Sequence, residues 1–121
     1  MDNISKPQML AGITNTGIAK NRSYYAFSRG GLRFVVLDAC YLDDGADYNH
    51  GQFDWRQTWV PSTELAWLET ELAASRDPVI VLAHQRLDAE GDVFVKNSPA
   101  VRDALERSKK VLAVFMGHDH A

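Results

Sequence analysis

The sequence has 121 residues, is 45% hydrophobic, and carries 13 basic and 16 acidic residues for a formal net charge of -3. These values are typical of one compact domain, and no cluster of Lys and Arg is present that could follow a nucleic-acid backbone. The single cysteine, Cys40, excludes an intrachain disulfide framework. No segment approaches the roughly 20 apolar residues of a membrane span, and residues 1–7 lack the apolar core of a signal peptide. We therefore expect a soluble, cytoplasmic protein with neither nucleic acid nor membrane as a partner.

The first predicted elements are two β-strands joined by a hairpin turn. Residues 24–27 and 32–39 favour strands, and Ser28-Arg29-Gly30-Gly31 between them is typical of a turn. The second strand contains a continuous apolar run, which predicts burial on both of its faces. Between residues 41 and 61 the sequence becomes polar and aromatic, which predicts a long loop of the kind that forms lids or binding elements.

A helix and a strand are predicted next. Ser62 is expected to cap a helix that continues through Ala74. Its apolar stripe should face the core and its glutamates should lie outside that stripe. The stripe is Leu65, Leu68 and Leu72, and the glutamates are Glu64, Glu69 and Glu71. The apolar run at 79–83 then predicts a buried strand that ends at His84.

A second helix and a last strand complete the pattern. Asn97-Ser98-Pro99 predicts a helix start with Ser98 as the cap and Pro99 at the first helical position. Val101 and Leu105 have helical spacing, and Lys109-Lys110 suits the negative end of the helix dipole. Residues 111–116 predict a second buried strand. This alternation of strands and helices favours an α/β fold with a largely parallel sheet.

Both of these buried strands lead directly into histidines. Ala83-His84 follows the first strand, and Gly117-His118-Asp119-His120 follows the second. Ligand sites in α/β sheets lie beyond the carboxyl ends of the strands, and imidazole is the commonest protein ligand for transition metals. The pattern therefore predicts a metal site if the two strands are neighbours. The alternatives are a hydrogen-bonded core or surface histidine at 84 and an exposed His-x-His pair that binds nothing.

Together with the strands that precede them, these histidine segments resemble those of the calcineurin-like metallophosphoesterase family. Gly117-His118-Asp119-His120 matches its closing Gly-His-x-His motif, Ala83-His84 matches the lone histidine after the preceding strand, and residues 25–38 are similar to its central hairpin. Within the family the chain is most similar to manganese-dependent ADP-ribose and CDP-alcohol diphosphatases and to cyclic-nucleotide phosphodiesterases. The resemblance implies half of a four-layer α/β/β/α sandwich, a mixed sheet with a hairpin and two helices.

The resemblance also implies a dinuclear centre of two divalent ions, Mn, Fe or Zn, acting on a small phosphoester or nucleotide-like substrate. His84 and His118 would bind one metal and His120 the other. The family's Asp-x-His, Gly-Asp-x-x-Asp and Gly-Asn-His segments have no counterpart in this sequence. Residues 1–121 are therefore expected to be one partial domain, the C-terminal part of the catalytic domain, with weak metal binding and little or no hydrolysis by itself.

Four further residues have weaker signals. Asp119 could orient an imidazole from outside the ligand shell or simply face solvent. Arg86 could contact a substrate phosphate through its guanidinium or be an ordinary surface arginine. Tyr48 and His50 could help to form a substrate lid, or the aromatic residues of their loop could merely anchor it to the core.

Two alternatives concern function and assembly. The three histidines could serve a noncatalytic metal-binding or assembly module. Other protein families that use a His-x-His pair match this sequence poorly, because a metallo-β-lactamase site would need a further Asp-His pair and a cupin would need an all-β pattern. No Gly-x-Ser-x-Gly elbow is present for a serine nucleophile. An exposed sheet edge and apolar surface would also favour self-association.

Overall fold

The computed structural model describes residues 23–41, 58–88 and 95–117, which form one four-stranded sheet and two helices. The elements are β1 Tyr25–Arg29, β2 Leu32–Leu37, α1 Ser62–Ala74, β3 Val79–Ala83, α2 Ser98–Ser108 and β4 Val111–Met116. The strand order is β1-β2-β3-β4. β1 is antiparallel to β2, whereas β2, β3 and β4 are parallel. The predicted α/β class, with a mixed sheet, a hairpin and two helices, is confirmed.

The hairpin turn is shorter than the sequence predicted, because β1 continues through Arg29. Gly30 and Gly31 alone form the turn, with φ angles of 61° and 77°. A two-residue turn with positive φ at both central positions matches the twist of the flanking strands and favours glycine. Behind the turn, the rings of Phe27 and Phe34 stack across the two strands with centroids 5.0 Å apart.

The core lies between the helices and one face of the sheet. Its centre consists of buried strand residues and of apolar residues from both helices: Val35, Leu37, Val79, Val81, Leu68, Leu72, Val101 and Leu105. The opposite face is only half-buried at Phe34 and Val36. The prediction that β2 is buried on both faces is therefore wrong for that second face.

β4 is not the buried strand that its composition predicted. The side chains of Leu112 and Phe115 are 66% and 60% exposed. β4 is the last strand in the sheet order and pairs with β3 alone among the strands described. In addition, Leu112 lies at a bulge in that pairing, and Phe115 is on the sheet face away from the helices, opposite Leu82. An apolar run indicates a strand but does not tell how many neighbours that strand has.

Both helices begin differently from the prediction. Pro61 occupies the N-cap position of α1 without a side-chain cap, so Ser62 is the first helical residue and not the cap. The N-cap of α2 is Asn97, and Ser98 is likewise helical. The Asn97 amide is engaged elsewhere, because its Oδ1 accepts from Val60 N at 2.9 Å and its Nδ2 donates to Val60 O at 2.7 Å.

Glu64 lies inside the protein, although the sequence placed it outside the apolar stripe. Its side chain is fully buried in the first turn of α1. Its Oε1 accepts a hydrogen bond from the main-chain N of Asp38 at 3.1 Å. A buried carboxylate is tolerated when it is hydrogen-bonded. The leucine stripe is confirmed at Leu68 and Leu72, whereas Leu65 is only partly buried.

Lys110 caps a different helix from the one the sequence suggested. Its Nζ donates to the carbonyls of Leu72, Ala73 and Ser75 at 2.6, 3.1 and 2.8 Å, which closes the C-terminal end of α1. Lys109 takes the C-cap position of α2 in the left-handed conformation, with φ of 57°. Neither helix in the described part of the chain has the length and hydropathy needed to traverse a bilayer.

Candidate functional site

The carboxyl ends of β3 and β4 lie side by side. Ala83 is opposite Met116 in the parallel register. One residue further on, the main-chain N of Gly117 donates to the carbonyl of His84 at 3.0 Å. The two strands are therefore neighbours, as the predicted metal site requires, and His84 lies beside the start of Gly117-His118-Asp119-His120.

Gly117 lies beside the His84 ring. A Cβ at position 117 would lie 3.4 Å from His84 Nδ1 and 3.5 Å from the His84 carbonyl oxygen. These are ordinary van der Waals distances, so a methyl group at position 117 would fit against the imidazole. The His84 side chain itself is exposed at this edge of the sheet.

Asp38 follows β2 at the same edge and shapes the turn that leaves it. Leu37 is opposite Ala83, so Asp38 and His84 are the next residues of two adjacent strands. The Oδ1 of Asp38 accepts from Cys40 N at 2.9 Å, and its Oδ2 accepts from the Ser23 hydroxyl. A carboxylate that accepts from the backbone two residues on forms an Asx turn. Asp38 thus shapes the backbone here.

The chain segments that leave this edge also return to it. Trp59 N donates to Ala39 O at 2.9 Å, which joins the two ends of segment 42–57. Val95 N donates to Arg86 O at 2.8 Å, which does the same for segment 89–94. The candidate lid residues Tyr48 and His50 belong to segment 42–57, which lies outside the described residues.

Arg86 lies two residues after His84 and pairs with Asp88. Its Nε donates to Oδ1 at 3.0 Å and its Nη2 to Oδ2 at 2.6 Å. This hydrogen bond is the main cause that holds the pKa of the Asp88 carboxyl below its ordinary value of 3.8. The bidentate geometry commits two N–H groups to the carboxylate. A contact of Arg86 with substrate phosphate stays a prediction.

Two residues that the sequence did not single out hold the segment after His84. Buried Gln85 donates from Nε2 to Cys40 Sγ at 3.1 Å. The Sδ of Met116 accepts from Leu87 N at 3.2 Å. Both contacts join residues that are distant in the chain, so no local pattern could have indicated them. Together they fix the backbone on either side of Arg86.

The full ligand set remains a prediction. His118, Asp119 and His120 lie outside the described residues, so the structure gives His84 a neighbouring strand but not its partner rings. Within residues 23–41, 58–88 and 95–117, no group of three or more His, Cys, Asp or Glu could hold a metal ion. The chemistry fits a metal nonetheless, because imidazole suits divalent transition metals and His84 is exposed at the strand end where such a ligand is expected.

Comparison with known proteins identifies the family. A family model described as calcineurin-like phosphoesterase matches residues 6–121. No curated protein and no solved structure gave a match. The match covers nearly the whole chain, including both strands that end at the candidate site. The chain therefore belongs to the calcineurin-like phosphoesterase family.

Proposed function

We propose that this chain contributes to metal-dependent hydrolysis of phosphoesters, with nucleotide-type phosphodiesters as the substrate class. Family membership supports the reaction class. The observation that carries the proposal is the hydrogen bond from Gly117 N to His84 O, because it joins the ends of two strands that lead into histidines. The finer assignment to diphosphatases or cyclic-nucleotide phosphodiesterases belongs to this proposal and rests on sequence similarity.

His84 and His118 would hold one divalent cation, Mn, Fe or Zn, and His120 a second. Two bound cations would supply an activated water and neutralise charge on the phosphoryl oxygens. The chain's own residues set the ligand positions: Gly117 N donates to the His84 carbonyl, and Gln85, the residue after His84, donates to Cys40. Ligands fixed by such contacts lose little freedom when a metal binds.

Substrate contacts are proposed for the rim of the same edge. Arg86 lies there and is proposed to exchange its carboxylate partner for a phosphate, since either group can offer two oxygens to the planar guanidinium. Tyr48 and His50 belong to the segment whose ends are tied together at this rim, and an aromatic ring there would suit stacking on a nucleobase. Asp119 is proposed to orient a neighbouring imidazole.

A noncatalytic metal-binding or assembly role is the second candidate. It is favoured by the absence of Asp-x-His, Gly-Asp-x-x-Asp and Gly-Asn-His segments from the 121 residues. Without those carboxylate and amide ligands, three imidazoles can hold only part of a two-metal centre. We therefore expect weak metal binding and little or no turnover from this chain by itself.

Metal binding is tested by titrating the chain with Co²⁺ and Zn²⁺, using visible absorption and calorimetry. We expect His84→Gln and His118→Gln each to weaken metal binding at least tenfold, because each variant loses one of the two histidines proposed to hold the first metal. His50→Gln is the matched control, since His50 is the one histidine outside the proposed ligand set. Equal affinity of the His84→Gln variant and the unaltered chain would refute the site.

Catalysis is tested with bis(p-nitrophenyl) phosphate and Mn²⁺, on this chain and on a version extended upstream to carry the missing ligand segments. Hydrolysis by the extended version that is lost with His84→Gln supports the hydrolase. Binding of two metals by that version without hydrolysis of any phosphoester supports the noncatalytic module instead. Appreciable turnover by the unextended chain would show that its three histidines suffice and would contradict our expectation.

A further inference from the structure

The outer edge of β4 is suited to pairing with another strand. Residues 111–116 read Val-Leu-Ala-Val-Phe-Met, without a charge or a proline. Leu112, Phe115 and Met116 are 66%, 60% and 37% exposed. Edge strands that remain single usually carry charges, prolines or bulges that block pairing. β1, at the other edge, ends in exposed Ser28 and Arg29. β4 has a bulge at Leu112, where its register with β3 shifts, but residues 113–116 pair regularly with β3 and contain no charge, proline or bulge.

A groove runs along the helix side of this edge. Its volume is about 280 Å³, and its lining residues are Arg102, Leu105, Glu106, Lys109, Val111 and Val114. Arg102, Leu105 and Glu106 of α2 have the i, i+3, i+4 spacing of one helix face, and Lys109 is the C-cap residue of that helix. The floor is apolar and the rim carries charges of both signs. Arg102 Nε is buried and has no hydrogen-bond partner within the described part of the chain.

We propose that a second copy of this chain docks on this edge, with β4 antiparallel to β4 and α2 antiparallel to α2 about a two-fold axis. Strands in such a sheet lie about 4.8 Å apart. A helix that connects two parallel strands covers both, so the two α2 helices would lie about two strand spacings apart, or about 10 Å. That is the usual contact distance of packed helices.

The charges on α2 match this arrangement. Arg102 and Glu106 are one turn apart and have opposite signs. An antiparallel two-fold axis near the middle of α2 places Arg102 of one copy against Glu106 of the second copy, and the reciprocal pair forms on the other side of the axis. The middle of α2 lies four residues before the end of the helix, which is a rise of about 6 Å. Because Leu112 is bulged, Val114 lies two strand steps beyond Val111, which is about 6.6 Å. The middle of α2 is therefore level with Val114, in the regularly paired part of β4, and one axis serves both.

The same axis leaves the candidate metal site open. The carboxyl ends of the two β4 strands point in opposite directions in an antiparallel pair, so each His84 lies at a far end of the dimer. The inference is thus independent of the proposed function. The apolar groove floor at Leu105, Val111 and Val114 becomes covered in both copies, whereas Phe115 lies on the opposite face of the sheet, as its strand partner Leu82 does, and stays outside the contact.

The proposal is tested by reversing the charges at positions 102 and 106 and measuring dimer formation by sedimentation velocity and native mass spectrometry. We expect a dimer for the unaltered chain. Arg102→Glu and Glu106→Arg should each weaken the dimer at least tenfold, because both pairs become repulsive. An equimolar mixture of the two variants should form the heterodimer within about threefold of the original affinity, because both pairs are again attractive. Arg76→Glu, a charge reversal at an exposed site away from the groove, is the matched control.

Three outcomes would overturn the proposal. The first is a concentration-independent monomer. The second is failure of the mixed variants to associate, which would exclude the antiparallel α2 contact. The third is a monomer whose β4 amides resist hydrogen exchange, which would mean that another segment of the same chain covers the edge. Circular dichroism checks the fold of each variant, and Leu112→Lys, on the strand and not the helix, provides a second disruption of the dimer.

Discussion

Replacing Lys110 by methionine should destabilise the fold, because it uncaps α1 while keeping most of the apolar stem. Nζ donates to three carbonyls, of Leu72, Ala73 and Ser75, at 2.6 to 3.1 Å. One hydrogen bond from a charged donor contributes about 1.5 to 3 kcal/mol. Immobilising the lysine side chain costs about 1.5 to 2 kcal/mol, and water can replace part of the loss. We expect the free energy of unfolding to fall by about 2 kcal/mol.

The measurement is urea unfolding followed by circular dichroism, with thermal unfolding as a second readout. For a domain of this size, about 2 kcal/mol corresponds to a decrease in Tm of roughly 8 °C. Lys109→Met is the matched control, since Lys109 precedes Lys110 and makes no side-chain hydrogen bond to the described residues; it should change unfolding by less than about 0.5 kcal/mol. A loss of similar size in both variants would refute the capping argument.

Three further predictions follow from single contacts. Gly117→Ala places a methyl 3.4 Å from His84 Nδ1, an ordinary van der Waals contact, so we expect a shifted His84 ring signal in NMR and Zn²⁺ binding within about twofold of that of the unaltered chain; a several-fold loss of binding would contradict this. Lys109→Gly should raise the free energy of unfolding by about 0.5 to 1 kcal/mol, because glycine adopts the left-handed C-cap without strain; urea unfolding checks it. The pKa of Asp88, followed by carboxyl NMR, should lie below 3.8 and should rise in Arg86→Gln. In the unaltered chain, the ion pair between Asp88 and Arg86 should persist at pH values above the pKa of Asp88 and should be lost as the pH falls through that pKa.

The strands were the most predictable part of this fold. β3 and β4 have the predicted bounds, because each is an apolar run between polar residues and the local pattern alone defines it. Features that depend on distant partners were not predictable. Glu64 is buried because it accepts from a main-chain N 26 residues away, and Lys110 caps a carbonyl 38 residues away. Both helices have their N-cap one residue earlier than predicted, and at the start of α2 the Asn97 side chain bonds to Val60, 37 residues away.

The candidate site shows which kind of inference a sequence supports. That His84 and Gly117 lie at the same edge followed from a topological rule, since parallel strands bring their carboxyl ends to one edge whatever their side chains are. The sequence left open whether the two strands are neighbours, and the structure shows that they are. The details at that edge depend on tertiary contacts, such as the Gln85 hydrogen bond to Cys40 and the Met116 contact with Leu87 N. These contacts act on the backbone around His84, so the chain fixes the ligand's position chiefly through main-chain geometry. A substitution at Gln85 should therefore disturb metal binding through displacement of the strand end, even though Gln85 supplies no ligand.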